Sequence, residues 1–298
     1  MEDPRQITAI QAAVILISTA TGIGILGMPR SIVQTSGTEM ILATVLGFLL
    51  VGTGVVLMIA VSLRFPRRSI ILYSEDLIGT WLARIASMAI ILFFIFLTGA
   101  NARGFGEVLR TTVLEDTPID VTIISMLFLA VLSSRQDINT FSYIHLFYLP
   151  LLLLPGLVIF IFILPDVEFI NLLPLWEKEQ GQLLRGAIGV AGYFPATFIV
   201  TMIIPWMRRP ERAWRAGMWG ISITGALYVL VMVMTLAFFG KEELKLIVWP
   251  TLELARATPF PVLERLDVAF LVGWLGLVFT TTYTTYYIAV SATSELFR

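Results

Sequence analysis

The chain has 298 residues, of which 57% are hydrophobic and 14% charged, and its mean hydropathy of +0.88 is outside the range of soluble globular proteins. The formal net charge of −1, the absence of cysteine and the single histidine argue against a nucleic-acid-binding protein, a disulfide framework and a Cys/His metal cluster. With no P-loop and no nucleophile arrangement, the composition predicts a polytopic membrane protein that is not an enzyme and needs no cofactor.

Eight segments are apolar enough to suggest membrane spans, for which about 20 residues are needed. They lie near residues 8–29, 39–63, 82–109, 119–133, 141–164, 184–205, 216–239 and 266–291, and the fourth is short. The first span follows the acidic start MEDPRQ, and no small-residue cleavage site comes after it. We therefore predict a retained span rather than a removed signal peptide.

Compact basic loops predict how the chain is oriented. RFPRRS (64–69), SSRQD (133–137) and RRPERAWR (208–215) all fall on one side of the membrane if the N-terminus lies on that side too. The positive-inside rule makes that side cytoplasmic. The expectation is an integral membrane protein with a cytoplasmic N-terminus.

Glycine and proline interrupt the first span in STATGIGILGMPR, residues 18–30. In a helix interior a glycine costs about 1 kcal/mol relative to alanine and a proline about 3 kcal/mol. Unwound backbone is tolerated in a membrane only where it lines a cavity or is buried in protein, because every backbone polar group must be bonded. Gly22 and Gly24 lack side chains that would block a ligand, although Gly22, Gly24 and Gly27 could instead be packing notches between helices.

Titratable residues are almost absent from the cores of the predicted spans. Arg103 and Glu107, one helical turn apart near the outer end of the third span, are predicted to pair. His145, at the inner start of the fifth span, could act as a proton relay, but an interfacial anchor is the commoner role. A proton-coupled carrier usually needs an intramembrane titratable group, so this pattern disfavours proton-coupled transport.

The sixth span carries a second interruption, in GAIGVAGYFPATFIV (186–200), where Gly189, Gly192 and Pro195 break the apolar run. Transporters built from inverted repeats place substrate at broken helices near the bilayer midplane, where free N–H groups and half-helix dipoles hold an anionic group. Breaks in both the first and the sixth span therefore favour a binding site over simple packing.

The eighth span contains FTTTYTTYYIAVSATSELF (279–297), an unusual density of hydroxyl groups. Residues four apart are neighbours on a helix, so Thr282 shares a face with Tyr286, and Tyr283 with Tyr287. One face could line a cavity while the other satisfies its hydroxyls on preceding carbonyls. We favour Thr282 and Tyr286 as the cavity-facing pair.

Six segments also carry a family resemblance: ITAIQAAVILISTATGIGILGMPR (7–30), FPRRSIILYSEDLIGTWLARI (65–85), RGFGEVLRTTVLEDTPIDV (103–121), LLPLWEKEQGQLLRGAIG (172–189), IIPWMRRPERAWR (203–215) and WPTLELARATPFPVLERLDVAFLVGW (249–274). They resemble the B subunits of the GerA-type spore germinant receptors. This endospore germination permease family is itself similar to the permeases of the amino acid/polyamine/organocation superfamily. The resemblance runs through essentially the whole chain.

The resemblance implies an all-α, LeuT-like inverted-repeat fold of five plus five helices with broken first and sixth helices. Residues 1–298 would form a single integral membrane domain, with a first repeat over about 7–165 and a partial second repeat over about 183–298. The sequence departs from the pattern because it stops at Arg298, soon after the eighth span. About eight of the usual ten spans are expected, and the chain looks truncated at its C-terminus.

In that architecture the pocket lies between the broken parts of the first and sixth helices and is closed by the third and eighth. The implied ligand-binding residues are Thr21, Gly22, Gly24, Gly99, Asn101, Gly192, Tyr193, Phe194, Thr282, Tyr283 and Tyr286. Asn101 could equally form a hydrogen bond to another helix. No catalytic residue and no metal ligand is expected.

The function implied by the resemblance is a nutrient-sensing receptor subunit that binds a small germinant, most simply an amino acid. It would trigger germination through partners, a larger membrane A subunit and a lipoprotein C subunit, in the spore inner membrane. The alternative is an ion-coupled amino-acid permease of the same superfamily in the cell membrane. A third possibility is a scaffold whose glycines only pack helices, which no small molecule would stabilise. A sugar or nucleoside could also use the hydroxyl groups.

Overall fold

The structure, a computed structural model, describes residues 6–174, 180–259 and 265–297. Its α-helices in these ranges are α1 (Ala9–Ala20), α2 (Gly24–Ser36), α3 (Met40–Ser62), α4 (Ile70–Ile78), α5 (Thr80–Thr112), α6 (Ile119–Ser133), α7 (Ile138–Ile163), α8 (Gln180–Ala191), α9 (Val200–Ile203), α10 (Ala213–Leu244), α11 (Pro250–Ala257) and α12 (Leu266–Leu296). Within the described ranges the β-structure is limited to one isolated parallel bridge, between Ile7 and Met207.

The chain is an all-helical membrane protein. In the described residues, five segments are long and apolar enough to cross a bilayer: Gly24–Ser62, Thr80–Thr112, Ile138–Asp166, Pro210–Leu244 and Leu266–Leu296. A bent pair, Gln182–Ala191 with Pro195–Trp206, makes six if it counts as one span. The sequence-based count of eight is larger because it includes the regions of α1 and α6, which are apolar but have only 12 and 15 residues.

The first predicted span is divided into two helices. Helix α1 opens with a capping box, in which the Thr8 hydroxyl accepts a hydrogen bond from the Gln11 N–H and the Gln11 side chain accepts one from the Thr8 N–H. It ends at Ala20, and α2 begins at Gly24. Pro29 lies inside α2, so the break is made by the residues around Gly22 and not by the proline.

The sixth predicted span breaks in a similar way. Helix α8 ends at Ala191, a 3₁₀ turn runs over Pro195–Ile199, and α9 follows, with a bend of 46° between the two halves. Pro195 lies in the first turn of the 3₁₀ segment, where its missing N–H breaks no helical bond. This turn packs against α1 and α12, which brings the two breaks together.

Buried apolar side chains form two clusters among the described residues. The first contains the buried faces of α2, α8 and α11 and the last residue of α1, Ala20. The second contains the other clustered residues of α1 and those of α9, while α3, α5, α7, α10 and α12 contribute to both. Apart from Ala20, the two halves of each broken helix therefore pack into different clusters. The breaks lie where one cluster gives way to the other.

Helix α12 is the central helix of the molecule. Its most apolar window is 72% buried inside the protein, compared with 24% for the corresponding window of Ile138–Asp166. It packs against α1, α5, α6, α7 and α11. A helix surrounded by protein can bond its polar side chains to neighbouring helices, which explains how a hydroxyl-rich segment can form a span.

The start of α1 is joined to the end of the sixth span. Ile7 N–H donates to the Trp206 carbonyl at 2.9 Å, and Arg208 N–H donates to the Ile7 carbonyl at 3.0 Å. This pairing places the basic segment 208–215, which leads into α10, at the same end of the molecule as the described residues before α1.

The prediction that Arg103 pairs with Glu107 is wrong. Glu107 instead pairs with Arg110 at 3.5 Å, also one turn away on α5.

Candidate functional site

A cavity of about 220 Å³ lies where the two breaks meet α5 and α12. We call it the break cavity. Five of the predicted site residues line it: Gly22, Gly24, Asn101, Gly192 and Tyr193. The structure thus brings together residues from the first, third and sixth predicted spans, as expected for a pocket between interrupted helices.

The wall formed by the first break carries unpaired backbone donors. The last hydrogen bond of α1 runs from the Thr21 N–H to the Ile17 carbonyl. The first hydrogen bond of α2 runs from the Ile25 N–H to the Gly22 carbonyl. Within the described chain, the N–H groups of Gly22, Ile23 and Gly24 have no hydrogen-bond partner. These donors form the N-terminus of α2, where the helix dipole is positive and an anionic group is stabilised.

Gly22 is needed for the close approach of α12. A Cβ atom at this position would lie 2.7 Å from Thr281 Oγ1, and one at Gly24 would lie 3.1 Å from both Tyr193 Cδ1 and Tyr228 Oη. At Gly27 the nearest atom, in the Trp249 ring, would be at 3.4 Å, an ordinary contact. The sequence left two roles open for these glycines, access for a ligand and close packing of helices. Gly22 fits both, since it lines the break cavity and also packs tightly against a neighbouring helix.

Asn101 lines the break cavity from α5. No hydrogen bond of its side-chain amide occurs in the described part of the chain, so the helix-to-helix bond considered as an alternative is not seen there. An amide offers two donors and an acceptor. Asn101 can therefore bind a polar group placed in the cavity.

Two predicted residues near the breaks are buried behind the cavity wall. The Thr21 hydroxyl donates to the Ile17 carbonyl at 2.6 Å, within its own helix. The Phe194 ring packs against Phe48 and Tyr228, with ring centroids at 4.7 and 5.0 Å. Both residues pack behind the residues that line the cavity and do not line it themselves.

The predicted residues of α12, with Gly99, lie elsewhere. The Thr282 hydroxyl donates to the Val278 carbonyl at 2.8 Å, and the Tyr283 hydroxyl donates to the Ser133 carbonyl at 2.8 Å. Gly99 and Tyr286 line a separate apolar cavity of about 630 Å³ together with Leu127 of α6 and further residues of α5 and α12. Helix α12 instead presents Thr281 to the break cavity.

Sequence reasoning missed several lining residues, and some could have been found. On α5 they are Leu97, Ala100 and Gly104. Leu97 and Gly104 lie four residues before and three residues after Asn101, so a helical wheel through Asn101 identifies both. Ala100 lies three residues after Leu97 and four before Gly104, which places it beside them on the wheel. Thr19, Ala20, Ile23, Pro195 and Ala196 flank the predicted breaks in the sequence. Thr281 lies in a run of threonines that gives no such signal.

The hydroxyl groups of α12 mostly join helices. Thr280 bonds Ser18 at 2.7 Å, Thr284 bonds Thr19 at 3.0 Å and Thr285 bonds Thr98 at 3.0 Å. These contacts form a ladder of hydroxyl pairs that holds α12 to α1 and α5. Such pairs satisfy polar groups that would be costly if left unbonded in the membrane interior.

His145 is fully buried, so it is not the interfacial anchor that its position suggested. Its Nδ1 lies 2.8 Å from the Phe141 carbonyl oxygen, and its Nε2 lies 2.9 Å from the hydroxyl of Thr284. The ring lies against Phe141, with ring centroids at 4.4 Å and the ring planes tilted by 38°. The only histidine of the chain is thus part of the hydroxyl ladder.

Comparisons with known proteins give a consistent result. A family model described as "Spore germination protein" matches residues 6–298. The chain is 26% identical over 296 residues to spore germination protein YndE of Bacillus subtilis, covering 98% of this chain and 82% of that protein. It is 25% identical over 282 residues to spore germination protein B2 of the same species, covering 92% and 75%. The chain is therefore shorter than both of these relatives.

A solved structure shows a similar fold. It is the substrate-bound, outward-open state of a Na⁺-coupled sialic acid symporter, with a TM-score of 0.66 and 14% sequence identity. The match covers 98% of this chain and 65% of the symporter chain. At this level of identity the likeness concerns the arrangement of the helices alone.

Proposed function

Because the chain belongs to the family of spore germination proteins, we propose that it is the nutrient-sensing membrane subunit of a spore germinant receptor. In this proposal a small germinant binds in the break cavity and changes the packing of the two broken helices. The family consists of non-enzymatic membrane proteins, so the ligand is bound and not chemically converted. The observation that supports this proposal most is that both breaks line one small cavity. In the described chain, the N–H groups of Gly22, Ile23 and Gly24 at that cavity have no hydrogen-bond partner.

The cavity supports a small zwitterionic ligand such as an amino acid. Its volume of about 220 Å³ lies below the roughly 300–1,000 Å³ of pockets for drug-sized molecules. Among the described residues, its lining contains no Asp, Glu, Lys or Arg. A ligand with a net charge would be unbalanced there, whereas a zwitterion can place its carboxylate at the N-terminus of α2.

The proposed architecture is a LeuT-like inverted repeat, with a first repeat over about 7–165 and a partial second repeat over about 183–298. The likeness in helix arrangement to the symporter supports it. The breaks after Ala20 and Ala191, in the first and sixth predicted spans, support it as well. The proposed site residues are those of the earlier set that line the cavity, Gly22, Gly24, Asn101, Gly192 and Tyr193.

An ion-coupled amino-acid permease is the second candidate, and the shared arrangement of helices with a Na⁺-coupled symporter is the observation in its favour. Family membership supports the sensor instead. The proposed sensor resides in the spore inner membrane with its N-terminus in the cytoplasm. Its proposed partners are a larger membrane A subunit and a lipoprotein C subunit.

Ligand-induced thermal stabilisation tests the proposed site. The whole chain, purified in detergent, is unfolded thermally in the presence of each of the twenty amino acids in turn. We expect at least one to raise the midpoint with concentration, because a ligand that binds only the folded state stabilises it by mass action. Ala100→Leu, which fills the cavity, should abolish that response. The same substitution at Ala89, exposed on α5, should leave it intact.

An equal response in Ala100→Leu and Ala89→Leu would place the ligand elsewhere, and no response to any amino acid would remove amino acids as the germinant class. Purification of the tagged protein from spores, with mass identification of co-purifying proteins, separates sensor from permease. Recovery of a larger membrane protein and a lipoprotein supports the sensor. Recovery of the chain alone, in a detergent that preserves membrane complexes, supports the permease.

A further inference from the structure

A continuous chain of hydrogen bonds links the Phe141 backbone to the break cavity. His145 Nδ1 lies 2.8 Å from the Phe141 carbonyl oxygen, its Nε2 lies 2.9 Å from Thr284 Oγ1, and Thr284 Oγ1 lies 3.0 Å from Thr19 Oγ1. Thr19 is one of the residues that line the break cavity, as are Gly22, Ile23 and Gly24, whose N–H groups have no partner in the described chain. The chain of bonds therefore begins at a fixed carbonyl and ends at a residue that lines the cavity.

The direction of these bonds follows from the chemistry of each group. A carbonyl oxygen can only accept, so the proton of the imidazole is on Nδ1 and Nε2 carries a lone pair. Thr284 must donate its single hydroxyl proton to that lone pair, and its oxygen then accepts from Thr19. The hydroxyl proton of Thr19 is therefore used in its bond to Thr284. Toward any further partner the Thr19 hydroxyl oxygen can only accept a hydrogen bond.

This direction requires a neutral imidazole, and the surroundings of His145 favour one. The side chain is 0% exposed, and Phe141 and Tyr283 lie near its ring at centroid distances of 4.4 and 6.2 Å. None of the ion pairs between described residues involves His145. A cation buried among aromatic rings and hydroxyls, without a carboxylate, would be strongly disfavoured.

We propose that His145 is a positioning residue that makes Thr19 a hydrogen-bond acceptor at the break cavity, so that the site selects ligands bearing a protonated amine. The inference rests on the proposed function, because it names the group that the α1 side of the site recognises. The carboxylate of the ligand binds the donors at the start of α2, and its ammonium donates to Thr19. The negative end of the α1 dipole, which terminates at Ala20, acts in the same direction.

Selectivity between matched ligand pairs tests this inference. L-alanine, L-valine and L-leucine are compared with propionate, 3-methylbutanoate and 4-methylpentanoate, which lack the amine but keep the carboxylate and side chain. Dissociation constants are measured by calorimetry on the whole chain in detergent. For each pair that binds, the wild-type protein should prefer the amino acid by about 10- to 100-fold, the range expected for a hydrogen bond to a charged group.

Two variants break the chain of bonds behind Thr19. His145→Phe removes the acceptor for Thr284, and Thr284→Val removes the acceptor for Thr19, so in each variant the Thr19 proton is free to turn toward the ligand. The preference for the amine should fall about 10-fold or more, while the affinity for the carboxylic acids changes little. Thr284→Ser keeps the hydroxyl, so this variant should retain the wild-type preference for the amine. Thr280→Val is the matched control, because its hydroxyl pairs with Ser18 and has no contact with His145.

The outcomes separate this inference from the proposed function. A retained preference in His145→Phe and Thr284→Val overturns the role of His145. A wild-type protein that binds both members of each pair equally overturns amine selection while leaving ligand binding in place. A folded wild-type protein that binds none of the six compounds contradicts an amino-acid ligand in the break cavity, and this inference fails with it. If one variant does not fold, the other decides.

Discussion

Thr284 is the residue at which the polar contacts of three helices meet. Its hydroxyl oxygen bonds both Thr19 on α1 and His145 on α7, and it is itself fully buried on α12. Each partner would keep a buried, unsatisfied polar group if this hydroxyl were lost. Thr284 therefore contributes to the stability of the helix arrangement around the first break through two partners at once.

Thr284→Val should lower the stability of the protein by about 1–3 kcal/mol, the cost of leaving a buried polar group unbonded. Thr53→Val is the control, because the Thr53 hydroxyl is exposed and bonds only the Leu49 carbonyl of its own helix. Thermal unfolding in detergent measures both variants. Equal midpoints for the two would show that the Thr284 hydroxyl adds nothing to stability.

Gly22→Ala should also destabilise the protein, for a steric reason. The added Cβ would lie 2.7 Å from Thr281 Oγ1, so α1 and α12 would have to move apart, at a cost of roughly 1–3 kcal/mol. Combining it with Thr281→Ala removes the nearest atom and should recover part of the loss. A single variant as stable as the wild type would contradict the close contact described at this glycine.

At the scale of elements, the two breaks were predictable from the sequence. The side of α12 that faces the break cavity was not. Glycines that no ordinary helix interior would favour mark both breaks, and their residues line the cavity, as Gly22 and Gly192 do. Successive residues on a helix differ by about 100° in direction. In the run from Thr280 to Thr282 every position has the same side chain, so nothing in the sequence distinguishes Thr281, which lines the cavity, from its neighbours.

The contact between α3 and α8 offers a prediction for helix packing. A Cβ at Gly47 would lie 2.6 Å from Val190 and 2.9 Å from the Ala187 carbonyl oxygen, whereas no atom of the residues that the structure describes lies within 4 Å of one at Gly54. Gly47→Ala should therefore lower stability by about 1–3 kcal/mol. Gly54→Ala, on the same helix, should be neutral or stabilising by up to about 1 kcal/mol. Chemical unfolding of the two variants in detergent compares them directly, and the reverse order would contradict the packing.

At the scale of the whole molecule, composition already identifies an integral membrane protein, and the family resemblance is confirmed by the match over residues 6–298. The number of spans was harder to predict. A hydropathy pattern treats α1 as part of a continuous span, although the backbone is interrupted after Ala20. Hydropathy reports which residues avoid water, and it does not report where the backbone stops being helical.

The predicted orientation can be measured because the chain has no cysteine, so one introduced thiol is unique. Arg67, Asp116 and Arg209 are exposed in loops. With a cytoplasmic N-terminus, Asp116→Cys should react with a membrane-impermeant maleimide on intact cells that express the chain. Arg67→Cys and Arg209→Cys should react only after the membrane is permeabilised. The opposite pattern would reverse the topology and leave the fold unchanged.

The pairing of Ile7 with Met207 has a mechanical consequence. Its two backbone hydrogen bonds fasten the first half of one broken helix to the last half of the other. Helices α1 and α9 can therefore act as a single lever whose hinges are the unwound residues at 21–23 and 192–194. In the proposed sensor, a ligand that tightens the space between the hinges would rotate this lever and carry the adjoining residues 208–212 with it. Movement of these residues would then transmit occupancy of the cavity to the outside of the membrane domain.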